Sequence, residues 1–519
     1  MDKDLQAMQQ ARDLVNKAFE AQRAFADFPQ DRVDSIVHAL SRAGLREAEH
    51  LARMAVEETG YGNVEDKIVK NRFGAETVYL AIKDLKTAGV IREDRASGII
   101  EIASPVGVIA AVIPSTNPTS TAIFKSLIAL KSRNSVVFSP HPSATQCVLE
   151  TARILMEAAK AAGAPDGVIQ CMSVTTLEGT QELMKHRKTA LILATGGLGL
   201  VRAAYSAGKP AYGVGPGNVP AYIESSANIP KAVSDVITGK SFDNGTLCCS
   251  EQSIVTDEAI QQKVVEEVKA KGGYFLNEAE MAVLGKLAVT PNRSINPQIV
   301  GRAATVIAAM AGITVPEKTR ALVAPLKGVG REYPLSMEKL SPILAFYVEK
   351  DWKAACNRCI ELLNFGGLGH TLAIHSQNDD IIRQFGLYKP ASRIVVNTQA
   401  SLGAVGFTTN LFPSMTLGCG TMGGNITSDN ISPLHLINVK RIAFVRASQS
   451  AADHSGTAAG SAQLCPVPGS AGQAVKFVCE EDVRNALAKG EKILVTPKTV
   501  ITPSARDMAS EKNVFVFIP

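Results

Sequence analysis

The sequence predicts an α/β fold built on parallel sheets, and two observations carry this. Hydrophobic residues make up 46% of the 519, aromatics only 5%, with 41 Gly and 25 Pro, a profile that suits an Ala/Val/Ile/Gly-rich α/β chain. From residue 98 onward, β-branched runs alternate with segments of helix length. Such alternation implies parallel strands joined by helical crossovers. The length suffices for two or three domains with a buried core.

The elements follow in order. Residues 4–90 read as helices, with Leu5, Met8, Val15 and Phe19 near helical spacing on the first apolar face. GIIEIASPVGVIAAVIPS (98–115) is β-branched and punctuated by Pro and Gly, and reads as strands. TAIFKSLIALKSR then reads as a helix, SVVFSP as a strand, TARILMEAAKAAG as a helix and GVIQCMS as a strand. ALILATGG, LVRAAYSAG and AYGVG repeat strand, helix, strand, and SIVT, AIQQKVVEEVKAKG, a helical stretch over 280–310, LAFYVE, TLAIH and RIVVN continue as a second α/β lobe. PLHLINVKRIAFV (433–445) ends in a strand-like run. Residues 447–474 are Ala/Ser/Gly-rich and nearly uncharged, and read as a flexible linker. In the tail, EEDVRNALAKG is a short amphipathic helix with Val483, Ala486 and Leu487 on one face and Gly490 as its stop. KILVTPKTVITPSARDMA and NVFVFIP look strand-like.

A formal charge of +5 from interspersed residues calls for neither nucleic acid nor an anionic membrane. Nine irregularly spaced Cys do not make a disulfide scaffold at this size, so a reducing cytoplasm is expected. No stretch reads as a signal core or approaches the roughly 20 apolar residues of a membrane span.

SFDNGTLCCSEQS (241–253) places two adjacent thiols after an Asn-Gly turn. A thiolate attacks electrophilic carbon well, and a helix start would lower its pKa. Spacing alone leaves open which sulfur acts, or whether Cys248 and Cys249 both pack as small hydrophobes. ATGGLGLVRAAYSAG (194–208) has the strand, Gly-turn, helix order of a phosphate-binding start without the full dinucleotide spacing, and GVGPGN (213–218) is a second Gly-rich turn. Cys356 and Cys359 of CNRC share a helical face with Trp352 and Leu363, have no second Cys pair nearby, and are read as core. Of the eight His, His370 alone sits in a Gly-rich loop.

Taken in order, these segments resemble the aldehyde dehydrogenase superfamily, and within it the coenzyme-A-acylating branch. SPVGVIAAVIPSTNPTSTAIFKSLIALKSRNSVVFSPHP, ATGGLGLVRAAYSAGKPAYGVGPGNVPAYIE, SFDNGTLCCSEQS, MEKLSPILAF, GLGHT and PSMTLGCGTMGGNITSDNISPLHLIN carry the likeness, over roughly residues 1–445. The resemblance implies a Rossmann-like NAD-binding domain over 1–242, a catalytic domain over 243–432 and an oligomerisation β-ribbon. The ribbon would pair 95–104 with a return strand in 433–446, giving a homodimer or homotetramer.

The resemblance also assigns roles. Cys248 is the nucleophile, Asn117 the oxyanion-hole amide, and His370 a group that assists the incoming thiol or ionises Cys248. Cys249 is a packing residue. NAD is held by Pro114, Ser115, Thr116, Ser139, His141, Thr195, Gly196, Gly197, Leu198, Gly213, Val214, Gly215 and Glu338, the last on the nicotinamide ribose. Gly213 falls where hydrolytic relatives carry the Glu that activates water, so the thioester on Cys248 would wait for coenzyme A. SPHPS (139–143) has no cation for a 2′-phosphate, although Arg133 is close in sequence, and NAD is expected over NADP. No metal is expected.

Residues 475–519 resemble C-terminal extensions of enzymes packaged in bacterial microcompartments, which implies a shell protein as partner and propionaldehyde or acetaldehyde as substrate. The alternatives are a hydrolytic aldehyde dehydrogenase, an acylating enzyme for succinic semialdehyde or sulfoacetaldehyde, and a non-catalytic cargo or scaffold protein.

Overall fold

The computed structural model describes residues 2–290, 294–445, 475–509 and 514–518, so the linker expected over 447–474 lies outside the described residues. The chain divides into two compact units, Met1–Phe444 and Val445–Pro519.

The first unit opens with five helices: α1 (Lys3–Phe25), α2 (Gln30–Arg46), α3 (Ala48–Thr59), α4 (Val64–Arg72) and α5 (Val78–Ile82). A π-helical turn, Phe73–Thr77, joins the last two. The buried stripe of α1 is Ala7, Ala11, Val15, Ala18, Ala21 and Phe25, while Leu5 is 56% exposed. The expected face containing Leu5 is therefore rotated. Small residues won because α1 lies close on the helix carrying Gly179, where an added Cβ would stand 2.7 Å from that of Ala7.

Strands β1 (Gly89–Asp94) and β2 (Ile99–Pro105) follow and pair antiparallel. Next comes a five-stranded parallel sheet: β3 (Val108–Ile113), α6 (Pro118–Lys131), β4 (Ser135–Pro140), α7 (Thr145–Ala161), β5 (Ile169–Cys171), α8 (Leu177–Lys185), β6 (Thr189–Thr195), α9 (Leu198–Tyr205) and β7 (Ala211–Val214). Its order, β5-β4-β3-β6-β7, reverses between β3 and β6. A crevice outside the carboxyl ends of strands at such a reversal is where open α/β sheets bind ligands.

The seven-stranded parallel sheet takes β8 (Val219–Ile223), β9 (Glu251–Asp257), β10 (Gly273–Phe275), β11 (Ala321–Pro325), β12 (Ile343–Glu349), β13 (Gly369–His375) and β14 (Ala391–Val396), in the order β10-β11-β12-β9-β8-β13-β14. Helices α10 (Ile229–Ser241), α11 (Gln261–Ala270), α12 (Glu278–Ala288), α13 (Ala304–Met310), α14 (Trp352–Phe365), α15 (Asp379–Tyr388) and α16 (Ala400–Ala404) intervene. The chain changes sheets between Val214 and Val219. Strand β15 (Ile437–Ala443) returns to pair antiparallel with β2, completing a three-stranded ribbon β1-β2-β15.

The second unit is a three-stranded parallel sheet, Val475–Val478, Ile493–Ile501 and Phe515–Phe517, with helices Glu480–Lys489 and Pro503–Ala509. Two corrections arise here. PSARDMA is a helix rather than a strand. The apolar face of Glu480–Lys489 is turned inward: Val483 and Ala486 are buried with Val478, Val495, Ala505 and Val514 in this unit's own core. Gly490 ends the helix in the left-handed conformation, as its place predicts.

Candidate active site

The two cysteines follow a chain reversal. After α10, Asp243, Asn244 and Gly245 take φ of 46°, 52° and 75°, Ser250 N–H closes a turn on the Leu247 carbonyl at 3.0 Å, and β9 begins at Glu251. The expected helix start is absent, because the β-branched run behind the cysteines is claimed by strand pairing with β8 and β12. The neighbouring Cys249 and burial push the Cys248 thiol up, and His370 pulls it back. Cys248 is partly exposed, whereas Cys249 is buried, its thiol donating to the Ser401 carbonyl at 3.2 Å.

Beneath this turn lies a charged cluster. Asp243 is fully buried and accepts from Lys70 Nζ, from Lys67 Nζ at 3.0 Å, from Thr246 Oγ1 at 2.6 Å and from the Asn63 N–H at 2.9 Å. Lys70 Nζ also donates to Asn117 Oδ1 at 2.6 Å and to Thr246 Oγ1 at 3.3 Å. Asn117, at the N-cap of α6, directs Nδ2 toward the Thr246 carbonyl (3.4 Å) and Thr116 Oγ1 (3.1 Å). The structure thus joins Asn117 to the cysteine turn through residues that sequence reading missed. A signal existed: the buried residues of α4 are Lys67, Lys70 and Asn71, a polar stripe at helical spacing.

On the other side of Cys248 stand His370 and Gly217. An added Cβ at Gly217 would lie 2.2 Å from the Cys248 carbonyl oxygen and 3.2 Å from His370 Cγ. His370 is fully buried; Nδ1 meets Thr371 Oγ1 at 3.0 Å, and Nε2 has no partner among the described residues. Arg393, also missed from sequence, fixes this loop by donating to the His370 carbonyl (2.9 Å) and the Gly418 carbonyl (2.6 Å). Glu338 is buried, accepts from Gly217 N–H at 2.9 Å and is pushed up to about 7 by burial.

Some of the sequence-predicted cofactor residues lie at the carboxyl ends of β3 and β6, where the strand order reverses. Pro114, Ser115 and Thr116 form the partly exposed loop after β3. Thr195 ends β6, and its Oγ1 is buried without a hydrogen-bond partner among the described residues. Gly196 and Gly197 lead into α9, which starts at Leu198. Gly215 would meet nothing within 4 Å if given a Cβ. The unpaired hydroxyl, the open face at Gly215 and the helix start fit a dinucleotide. Other members lie differently. Ser139 is buried against Thr180 (2.8 Å), and His141 is exposed, bonded to Ser143 Oγ at 2.8 Å. Val214 is core. Gly213 is packed under α9, where a Cβ would stand 2.8 Å from Val201 Cγ1 and 3.2 Å from the Tyr205 ring. The glycine against the nucleophile is therefore Gly217, and a carboxylate grafted at 213 would collide with α9. Arg133, at the opposite end of β4 from residues 139–143, spends its guanidinium on the Ala26 and Ala103 carbonyls.

Beside Leu247 a tight apolar cleft, with a cavity volume of only about 10 Å³, is lined by Val69, Phe73, Phe242, Leu402, Val405, Phe407, Met415 and the Lys70 side chain. Phe73, aimed by the π-helical turn, meets Phe407 edge-on at 5.7 Å. Cys356 and Cys359 are buried in the core around α14. Among the described residues no cluster of His, Cys, Asp and Glu could hold a metal ion, and no helix is long and apolar enough to cross a membrane.

Residues 4–275 match the model of the aldehyde dehydrogenase family. The bifunctional aldehyde-alcohol dehydrogenase AdhE of Escherichia coli is 45% identical over 83% of this chain and 49% of its own length; the chain spans about half the length of such bifunctional relatives. The succinate-semialdehyde dehydrogenase (acetylating) of Clostridium kluyveri is 37% identical over 83% of this chain and 95% of its own. Among solved structures, an acetylating aldehyde dehydrogenase from Geobacillus thermoglucosidasius is 54% identical, with TM-score 0.85 over 86% of this chain and 98% of that one. A propionaldehyde dehydrogenase from the Clostridium phytofermentans fucose utilisation bacterial microcompartment is 31% identical, with TM-score 0.76 over 84% and 97%. The Rhodopseudomonas palustris propionaldehyde dehydrogenase, with bound CoA and an acylated cysteine, is 29% identical, with TM-score 0.77 over 84% and 97%.

Proposed function

The chain belongs to the aldehyde dehydrogenase family, and from that premise we propose that it oxidises a short apolar aldehyde to its acyl-CoA through a thioester on Cys248. The observation that carries the acyl-CoA outcome is the surroundings of the thiol. Cys248 lies beside Cys249, His370 and Gly217, and Glu338, the carboxylate on the far side of Gly217, is engaged by the Gly217 N–H at 2.9 Å rather than aimed at the thiol. Coenzyme A supplies a thiol that is already partly ionised near neutral pH.

Residue by residue, Cys248 gives its proton to His370 Nε2 and attacks the carbonyl carbon. Asn117 Nδ2 and the Cys248 N–H donate to the oxyanion. The 114–116 loop, Thr195, Gly196, Gly197, Leu198, Gly215 and Glu338 would hold a nicotinamide cofactor at the carboxyl ends of β3 and β6, and that cofactor would supply the hydride acceptor. Loss of hydride from the former aldehyde carbon leaves the Cys248 thioester. The CoA sulfur then attacks it, and Cys248 leaves as thiolate and regains a proton. NAD is favoured over NADP because Arg133 is committed to backbone carbonyls.

The apolar character of the residues around Leu247, and the tightness of the cleft they leave, support a short apolar aldehyde, propionaldehyde or acetaldehyde. Among the described residues that line it, the one cation, Lys70, already faces Asp243, Asn117 and Thr246, which disfavours a carboxylate or sulfonate on the substrate. Exposed Val90, Ile442 and Phe444 on the ribbon support a homodimer or homotetramer. The microcompartment neighbour and the separately folded tail support a cytoplasmic enzyme docked to a shell protein. That contact would use a surface of the tail other than the Val483 face. Removing 447–519 is expected to abolish co-purification with shells and to leave activity intact.

The test is NADH formation from propionaldehyde with and without CoA, with mass spectrometry of the protein. CoA-dependent turnover and an acyl adduct on Cys248, absent in C248S, are expected. CoA-independent release of free acid, or an adduct elsewhere, overturns the reading. A higher kcat/KM for succinic semialdehyde overturns the substrate class.

A further inference from the structure

We propose that Lys70 is a positioning residue, which fixes which end of the Asn117 amide faces the reacting aldehyde; this rests on the function proposed above. An asparagine side chain is nearly symmetric in shape, and only its partners decide whether C=O or NH2 points a given way. For Asn117 the difference decides between stabilising and repelling an oxyanion.

The surroundings make the choice. An ammonium donates three hydrogens and accepts none. The Lys70 hydrogens meet three acceptors: Asn117 Oδ1 at 2.6 Å, Asp243 Oδ2, and Thr246 Oγ1 at 3.3 Å. Turning the Asn117 amide over would set donor against donor at Lys70 and carbonyl against carbonyl at Thr246. Asp243 is what allows a cation here: it is fully buried, bridges Lys70 and Lys67, and is packed so tightly that a Cβ on Gly62 would fall 1.8 Å from its Oδ1. The same carboxylate accepts from Thr246, two residues ahead of the nucleophile. One ammonium therefore ties the orientation of Asn117, 47 residues on, to the placement of the cysteine turn, 173 residues on.

A double-mutant cycle tests this. The readouts are the rate of the NADH burst with propionaldehyde and the rate of Cys248 alkylation by iodoacetamide, in wild type, K70M, N117A and K70M/N117A. K70M is expected to slow the burst by roughly 10–100-fold, the range for losing a hydrogen bond to a charged group, with alkylation within about 3-fold of wild type. On the N117A background K70M is expected to cost less than about 3-fold, because no amide remains to orient. An equal fold-loss on both backgrounds, an unchanged burst in K70M, or a parallel collapse of alkylation overturns the proposal. Where K70M is not recovered folded, the same cycle is run on K70M/D243N against D243N, which leaves no buried carboxylate short of a cation. If N117A itself leaves the burst intact, the oxyanion assignment of the proposed function falls, whereas additivity removes the role of Lys70 alone.

Discussion

Gly217→Ala is the sharpest test of the site geometry. The added methyl would stand 2.2 Å from the Cys248 carbonyl oxygen and 3.2 Å from His370 Cγ. Ordinary contacts of this kind lie at about 3.3 Å or beyond, so something must move by about 1 Å. The clash is with backbone, and that backbone belongs to the nucleophile, so the displacement is imposed on Cys248 itself. A 1 Å error in a reacting group costs on the order of 100-fold in rate, equivalent to about 2.7 kcal/mol of barrier. Overpacking should remove a further ~1–3 kcal/mol of stability. The assays are the NADH burst with propionaldehyde, iodoacetamide alkylation of Cys248 and thermal unfolding. Gly386→Ala is the control, since Gly386 lies in α15 with nothing within 4 Å of its Cβ position; it should be neutral or stabilise by up to ~1 kcal/mol. A G217A protein with wild-type burst and alkylation would refute the placement of Gly217 against the nucleophile.

The pH at which iodoacetamide inactivates should move in opposite directions in two variants: down in Cys249→Ala, because Cys249 holds the Cys248 pKa up, and up in His370→Ala, because His370 holds it down. Shifts of the same sign would contradict this. Lys125 is fully buried, donates to the Val112 (2.8 Å) and Leu193 (2.9 Å) carbonyls, and is brought down to about 7 by burial. An unfolded lysine keeps its proton to about 10.4, so between these values the unfolded chain holds the extra proton and stability rises with pH. The melting temperature of wild type relative to Lys125→Met should therefore climb from pH 7 to 10, and a flat difference would contradict it. Ala7→Leu should cost ~1–3 kcal/mol by prising α1 from α8, while Leu5→Ser should be silent in thermal unfolding.

What was legible in the sequence followed periodicity. Most parallel strands of both sheets read directly because their β-branched runs are buried on both faces, as in Val108–Ile113 and Gly369–His375, whereas Ala321–Pro325, with a single β-branched residue, did not. Three-residue Gly273–Phe275 is too short to carry a pattern, and Pro220 inside Val219–Ile223 argues against a strand that tertiary pairing nevertheless makes. Leu5 misled because hydrophobicity marks a helix face only when volume is free, and at Gly179 it is not. The nucleophile was legible from its motif. Its supporting cluster was not, because Lys70 and Asp243 pair over 173 positions and each alone looks like a solvated charge.

That cluster also limits how the enzyme should respond to alkali. Burial lowers Lys70 to about 8, even though the Asp243 charge acts to raise it and Lys67 to lower it; Asp66 contributes a smaller upward pull. A neutral amine carries a lone pair, so it can accept from Asn117 Nδ2 as readily as it donates to Oδ1, and the amide is no longer forced one way. Cys248 works in the opposite sense, gaining reactivity as pH rises toward its raised pKa. The burst rate should therefore rise and then fall, with the alkaline fall belonging to Lys70. Asp243→Asn removes the largest influence holding the Lys70 proton, and must move the alkaline fall to lower pH while leaving the rising limb, which belongs to Cys248, in place. Burst rates across pH 6–10 in wild type and D243N decide it. An alkaline limb that stays put in D243N would mean that Lys70 does not govern it.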